Sequence, residues 1–303
     1  MILFEWGTYN ALSTLRQAAL LGTRLTEIPP AIFMKRLNEK YYDNYRKLAE
    51  ECFTTITAHG PYYNLGSDLV KGKDTSTRAH LKAVELAKRC GAHIYNYHLG
   101  TRHEDLELNY KFHLNILKQF YEVAPDMVFS LEPSTYPGEF GSFEELSNLV
   151  SLARDEGINV TIGMQLENIY LNELKISEIG EFVEPTDFVG WWLKIFEKYK
   201  EISDKYLHFR FSQIVGIKTD NKFFKKRVPL GMGYPKVEPL VEALSEFFVR
   251  VQNENYKVLF VYTGLPEVKY VDLLDLYNMI MKTSINKLMS KEYQLEYGDT
   301  YRS

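Results

Sequence analysis

Short apolar runs alternate with amphipathic stretches along nearly the whole chain. Ile2 to Trp6, Arg24 to Ile28, Thr54 to Ala58, His93 to Tyr97, Met127 to Leu131, Asn159 to Met164, Tyr206 to Phe211 and Lys257 to Val261 have the length and composition of strands. Between them, Ala11 to Leu21, Asn38 to Cys52, Thr75 to Cys90, Glu104 to Ala124 and Pro235 to Val251 read as helices. Gly22, Gly91 and Pro125 stop three of these, and Ser142 followed by Glu145 has capping-box spacing before a helix that runs to Glu156. A long aromatic-rich segment up to Lys205 reads as helical, whereas Gly66 to Asp74 and Lys218 to Arg227 read as loops, the latter basic. Eight strands alternating with helices favour a single-domain α/β fold, the parallel (β/α)8 TIM barrel, over an open doubly wound sheet. The barrel is expected over residues 1–282, with a final helix and polar tail over 283–303.

Composition fits this picture. Of 303 residues, 45% are hydrophobic and 25% charged, enough apolar material to bury a full core. A formal charge of −4 argues against broad nonspecific binding to nucleic acid but leaves room for a local basic patch. Cys52 and Cys90 form no CxxC pair, which points away from a disulfide framework and a thiolate zinc site and fits a reducing cytoplasm. The first residues are interrupted by Glu5 before they could form a secretory signal, and no apolar run has membrane length. No GxGxxG follows a strand and no GxxxxGK[ST] occurs, so dinucleotide and P-loop chemistry lack their fingerprints.

Three strand ends carry candidate metal ligands: His59 in Thr57-Ala58-His59-Gly60-Pro61, His98 in Tyr97-His98-Leu99-Gly100, and Glu132 in Leu131-Glu132-Pro133. In a parallel barrel all strands point one way, so these residues converge on one rim. Two imidazoles and a carboxylate can hold a zinc-like ion with one position open. His80 and His113 lie within helical patterns and His93 opens a strand, which suits structural roles; His103 near the rim stays unassigned.

The chain resembles the endonuclease IV superfamily of β/α barrels, which also contains xylose-isomerase-like sugar isomerases and epimerases. The resemblance rests on His59-Gly60-Pro61-Tyr62 with Asn64-Leu65, Tyr97-His98-Leu99-Gly100-Thr101, Leu131-Glu132, Leu207-His208-Phe209 and Leu230-Gly231-Met232-Gly233, in that order. Enzymes of the endonuclease IV type use nine ligands for three metals and cut DNA at abasic sites; four are matched here by His59, His98, Glu132 and His208. The other five fall on Gln165, Asn168, Lys225, Arg227 and Tyr262, none able to bind a divalent ion as the family's acids and histidines do. A shifted register would bring in Glu167 in place of Gln165.

The resemblance therefore implies one divalent ion rather than three, zinc with manganese as alternative, on His59, His98 and Glu132. Glu132 and His208 are the candidate catalytic groups. Lys225 and Arg227 can supply positive charge to a phosphate in place of the missing ions. Tyr62 and Tyr63 fall where the family inserts side chains into DNA, and with Gln165, Asn168 and Tyr262 they complete the candidate substrate-binding set. Three functions stay open: a metal-dependent phosphodiester hydrolase acting on damaged or abasic DNA, a sugar or sugar-phosphate isomerase or epimerase, and a noncatalytic relative that binds nucleic acid or another ligand. The expected partners are DNA or a phosphorylated small molecule, with no membrane.

Overall fold

A computed structural model of the chain describes residues 4–219 and 222–297. Strands β1 (Glu5–Tyr9), β2 (Leu25–Ile28), β3 (Thr55–His59), β4 (Ile94–His98), β5 (Val128–Glu132), β6 (Val160–Gln165) and β7 (Tyr206–Phe211) precede a hairpin, β8 (Gln213–Thr219) and β9 (Lys222–Val228); β10 (Lys257–Tyr262) follows. The helices are α1 (Leu15–Leu20), α2 (Pro30–Phe33), α3 (Glu39–Cys52), α4 (Gly66–Lys71), α5 (Thr75–Arg89), α6 (Leu106–Val123), α7 (Phe143–Asp155), α8 (Leu166–Glu173), α9 (Ile176–Ile179), α10 (Phe188–Ile202), α11 (Val237–Val251) and α12 (Lys269–Tyr297). The strands close in the order β1-β10-β7-β6-β5-β4-β3-β2, and the neighbouring pairs are parallel. This is the (β/α)8 barrel expected from the sequence.

Period-two alternation sorts each strand into an inner and an outer face. Inside, Leu25, Ile94, Val128, Leu259 and Val261 form a small apolar plug. Asn96, Ser130 and His208 lie above it, two residues further along their strands than the apolar layer on β4 and β5, and Glu27, His98, Glu132, Gln165 and Arg210 form the mouth. Outer faces meet the helices in one large core rich in aromatic rings, among them Tyr95, Tyr97, Phe129, Trp192 and Phe209. Gly163 makes room for the polar middle layer, since a Cβ there would lie 1.9 Å from Asn96 Oδ1. At the start of α7 the capping box forms as read from sequence, Ser142 with Glu145.

Several boundaries differ from the sequence expectation. The first strand is Glu5–Tyr9, not Ile2 to Trp6, of which Ile2 and Leu3 lie outside the described residues. The loop expected over Gly66 to Asp74 contains α4, and the long segment before Lys205 divides into α8, α9 and α10. The final helix starts at Lys269 and runs unbroken through residue 282, while the tail from Gly298 lies outside the described residues. The basic stretch read as a loop is a strand: β9 pairs antiparallel with β8, setting Lys225 opposite Gly216 and Arg227 opposite Ile214. Lys225 and Arg227 share one face of β9 with buried Phe223, while Phe224 and Lys226 are exposed on the other.

Candidate metal centre

The mouth of the barrel holds a cavity of about 440 Å³ whose lining includes His59, His98, Glu132, Arg210, Lys225 and Arg227. Parallel register brings the three expected ligands together: His98 lies beside Glu132 on adjacent strands, and His59 beside Asn96. One ligand atom from each of His59, His98 and Glu132 lies within 4.8 Å of the others. His59 Nδ1 donates to the Gly60 carbonyl at 2.7 Å. Its Nε2 lies 3.2 Å from Glu132 Oε2, and His98 Nε2 stands 3.6 Å from the same oxygen.

Electron-rich nitrogens facing a carboxylate oxygen repel unless a cation or proton lies between them. Burial pushes the His98 imidazole down to about 3, against the pull of Glu132, so a proton is disfavoured there. Burial also opposes ionisation of Glu132, but the Arg210 guanidinium beside it holds its carboxyl well below the usual range. Two imidazole nitrogens gathered around a carboxylate are the donor set of an open zinc-type site, and the residues present fit such an ion.

The floor beside this triad is a buried charge chain that sequence reading missed. Arg210 donates from Nη1 to Glu132 Oε2 at 2.9 Å and to Gln165 Oε1 at 2.7 Å. Its Nη2 and Nε reach the two oxygens of Glu27 at 2.8 and 3.2 Å. Two carboxylates against one guanidinium leave the floor one negative charge in excess, which a divalent ion would reverse. Asn96 and Asn168 complete the shell of Glu132, donating at 2.7 and 3.2 Å.

The remaining candidates fall in different places. Gln165 lies in the wall, where it accepts from Arg210 and donates to Glu167 Oε1 at 2.5 Å. Glu167 does not replace Gln165 in the strand: it lines the cavity from the first turn of α8 and also accepts from Ser212 Oγ. Asn168 is buried and links Glu132 to the hairpin, since Lys225 Nζ donates to its Oδ1 and to Thr135 Oγ1 at 3.2 Å. Burial pushes the Lys225 ammonium below its ordinary range, opposed by Glu167 and Glu132. Tyr62 and Tyr63, 58% and 42% exposed, stand at the rim, with the Tyr62 ring 5.2 Å from His59 and 5.9 Å from His98.

Besides the buried Asn168, two further candidates do not line the cavity. His208 is fully buried one layer below, its Nδ1 3.1 Å from Ser130 Oγ, and Arg210 stands over it two residues along the same face. His208 therefore does not line the cavity and packs within the middle layer beside Ser130. Tyr262 points to the outer face of β10, where its hydroxyl donates to Asp272 on α12 at 2.8 Å, away from the cavity.

Of the histidines expected to be structural, His80 and His93 have hydrogen-bond partners, whereas His113 is buried against Phe140 with neither ring nitrogen partnered among the described residues. His80 donates from Nε2 to the Tyr63 carbonyl and accepts from the Tyr95 hydroxyl, fixing the loop after β3. His93 accepts from the Ile56 amide, and His103 from the Asp105 amide before α6.

A closed parallel barrel with strand-end imidazoles and a carboxylate at its mouth defines a class, and the family follows. The sequence profile of the xylose isomerase-like TIM barrel family matches residues 15–249, and the chain belongs to that family. It is 58% identical over 307 residues to an uncharacterised protein of Methanocaldococcus jannaschii, covering 100% of this chain and 97% of the relative. Among solved structures, endonuclease IV of Thermus thermophilus superposes with a TM-score of 0.63 at 16% identity, covering 92% of this chain and 99% of the other. The 3-keto-D-glucoside 4-epimerase YcjR of E. coli gives 0.61 at 14% identity over the same shares, 92% and 99%. A Mycobacterium smegmatis barrel solved in complex with magnesium gives 0.55 at 12% identity, covering 90% and 88%. At these identities the structural likeness concerns the fold. Among the described residues no helix is long and apolar enough to cross a membrane.

Proposed function

We propose that this protein is a metal-dependent hydrolase of phosphodiesters, with damaged or abasic DNA as the first substrate class to test, and that it works with one divalent ion, zinc or manganese. The observation that carries this reading is the set of His59, His98 and Glu132 donor atoms gathered within 4.8 Å beneath two cationic side chains of β9. When bound, such an ion polarises a phosphoryl oxygen and brings the pKa of water towards neutrality. The side chains do the rest. Lys225 and Arg227 neutralise and orient the phosphate from the hairpin side, the Arg fork being suited to two phosphate oxygens. Tyr62 and Tyr63 offer exposed rings at the entrance, and Asn96, Asn168 and Arg210 hold Glu132 in place.

One ion rather than three is favoured because Arg210 already supplies fixed positive charge between Glu27 and Glu132. The likeness to an endonuclease IV supports a phosphodiester substrate, and the magnesium of the M. smegmatis barrel is in keeping with a divalent ion in this fold. Sugar isomerisation needs a second carboxylate free to carry a proton; Glu27 is spent on Arg210, and Glu167 is held by Ser212 and Gln165. The test is cleavage of an abasic duplex and of bis(p-nitrophenyl) phosphate with added zinc or manganese. Metal-dependent turnover reduced about 100-fold or more in His98→Ala is expected. Turnover of neither substrate, with full metal occupancy, contradicts the reading.

A further inference from the structure

Beside the metal cup lies a second cavity of about 250 Å³, bounded by Tyr9, Pro29, Pro30, Tyr62, Leu265 and Pro266. Tyr62, Arg210 and Arg227 border both cavities, so the two form one continuous binding surface at the barrel mouth. Its walls are flat and mostly apolar: two tyrosine rings, three prolines and a leucine. The charged groups at its floor, Glu27 and Arg210, are spent on each other, which leaves no buried charge to receive an ionised ligand group. Tyr9 is fixed in advance. Its hydroxyl donates to the Gly264 carbonyl at 2.9 Å, and the Lys269 ammonium lies 4.2 Å from its ring centroid. A preformed slot of this kind suits a neutral flat ring, which aromatic and proline faces cover with little ordering cost.

We propose that this second cavity binds the base of a nucleotide whose phosphate lies beneath Lys225 and Arg227. The inference rests on the phosphate reading above and narrows it: the substrate is a phosphate ester carrying a nucleobase, either free or within a strand. Arg227, exposed on β9 at the junction of the two cavities, is placed to serve phosphate and base together. Ala31, exposed on α2 and lining this cavity but not the metal cup, provides the means of blocking it.

Calorimetric titration of the zinc-loaded protein with ribose 5-phosphate, AMP and the dinucleotide ApA tests the proposal. AMP and ribose 5-phosphate share sugar and phosphate and differ in the base. AMP should bind about tenfold or more tightly, as expected for stacking of one base. Ala31→Trp should erase that ratio while the Kd of ribose 5-phosphate stays unchanged. With the ratio present, ApA binding more tightly than AMP identifies a strand-embedded nucleotide, and weaker binding a free one. Equal affinities for AMP and ribose 5-phosphate, or a ratio that survives Ala31→Trp, overturn the base site and leave the phosphate reading standing. Failure of all three ligands to bind overturns both.

Discussion

Arg210 is the residue on which the mouth of this barrel turns. A buried guanidinium between two carboxylates is costly to desolvate and costlier to break, because removing it leaves Glu27 and Glu132 ionised in a dry site. Arg210→Met should therefore lower stability by about 3–5 kcal/mol, read as a fall in the urea midpoint with unchanged slope. Arg210→Lys, which keeps the charge and loses the fork, should fall between the two; equal stability of all three proteins would mean that the chain does not hold the floor. His59, His98 and Glu132 are legible in the sequence because each ends an apolar run, where a parallel barrel places its chemistry. Arg210 is legible by the same logic but is masked by His208, the more familiar ligand type: the two share a face of β7, and the outer one covers the inner. Strand parity also gives away Tyr262, which follows the inward-facing Val261 and so must point outwards.

At the scale of elements, the hairpin β8–β9 converts a barrel rim into a cup. Its charges hide a two-residue alternation, which is why the sequence suggested a loop: Lys225 and Arg227 enter the cavity while Lys226 faces solvent. Lys225→Ala and Arg227→Ala should each weaken phosphate-ester binding about tenfold, whereas Lys226→Ala should have little effect. Equal losses for all three would show that the hairpin acts through general charge. Inside the barrel, packing sets the same tight tolerance. Gly163→Ala drives a methyl towards Asn96, which also holds Glu132, and should cost about 1–3 kcal/mol and loosen the ion as well. Metal affinity that survives this change would separate the middle layer from the site.

The whole molecule carries several histidines kept neutral by burial, and this sets its response to acid. His113, stacked on Phe140 with a centroid separation of 5.0 Å and with neither ring nitrogen partnered among the described residues, is pushed down to about 3 by burial. His80 is likewise pushed down to about 4. Between those values and the unfolded value near 6.5 the unfolded chain binds protons that the folded chain does not. The stability they contribute is complete above about pH 6.5 and is lost as pH falls through the folded values, by at most about 1.4 kcal/mol per pH unit for each group. Thermal unfolding followed from pH 7 to 4 should show this decline, shallower in His113→Phe; parallel curves for the two proteins would exclude His113 as a contributor. The barrel that orders these residues was visible in the alternation of strands and helices, whereas the cup, made by a hairpin and a charge chain between β2, β5 and β7, depends on contacts across distant strands that local pattern does not encode.

The proposed function places one divalent ion on His59, His98 and Glu132, with Arg210 standing in for further ions. Elemental analysis of the purified protein after supplementation with zinc or manganese tests this most directly. One equivalent per chain, lost in His59→Ala and in His98→Ala without unfolding, is the predicted result; no bound ion, or three equivalents, would contradict it.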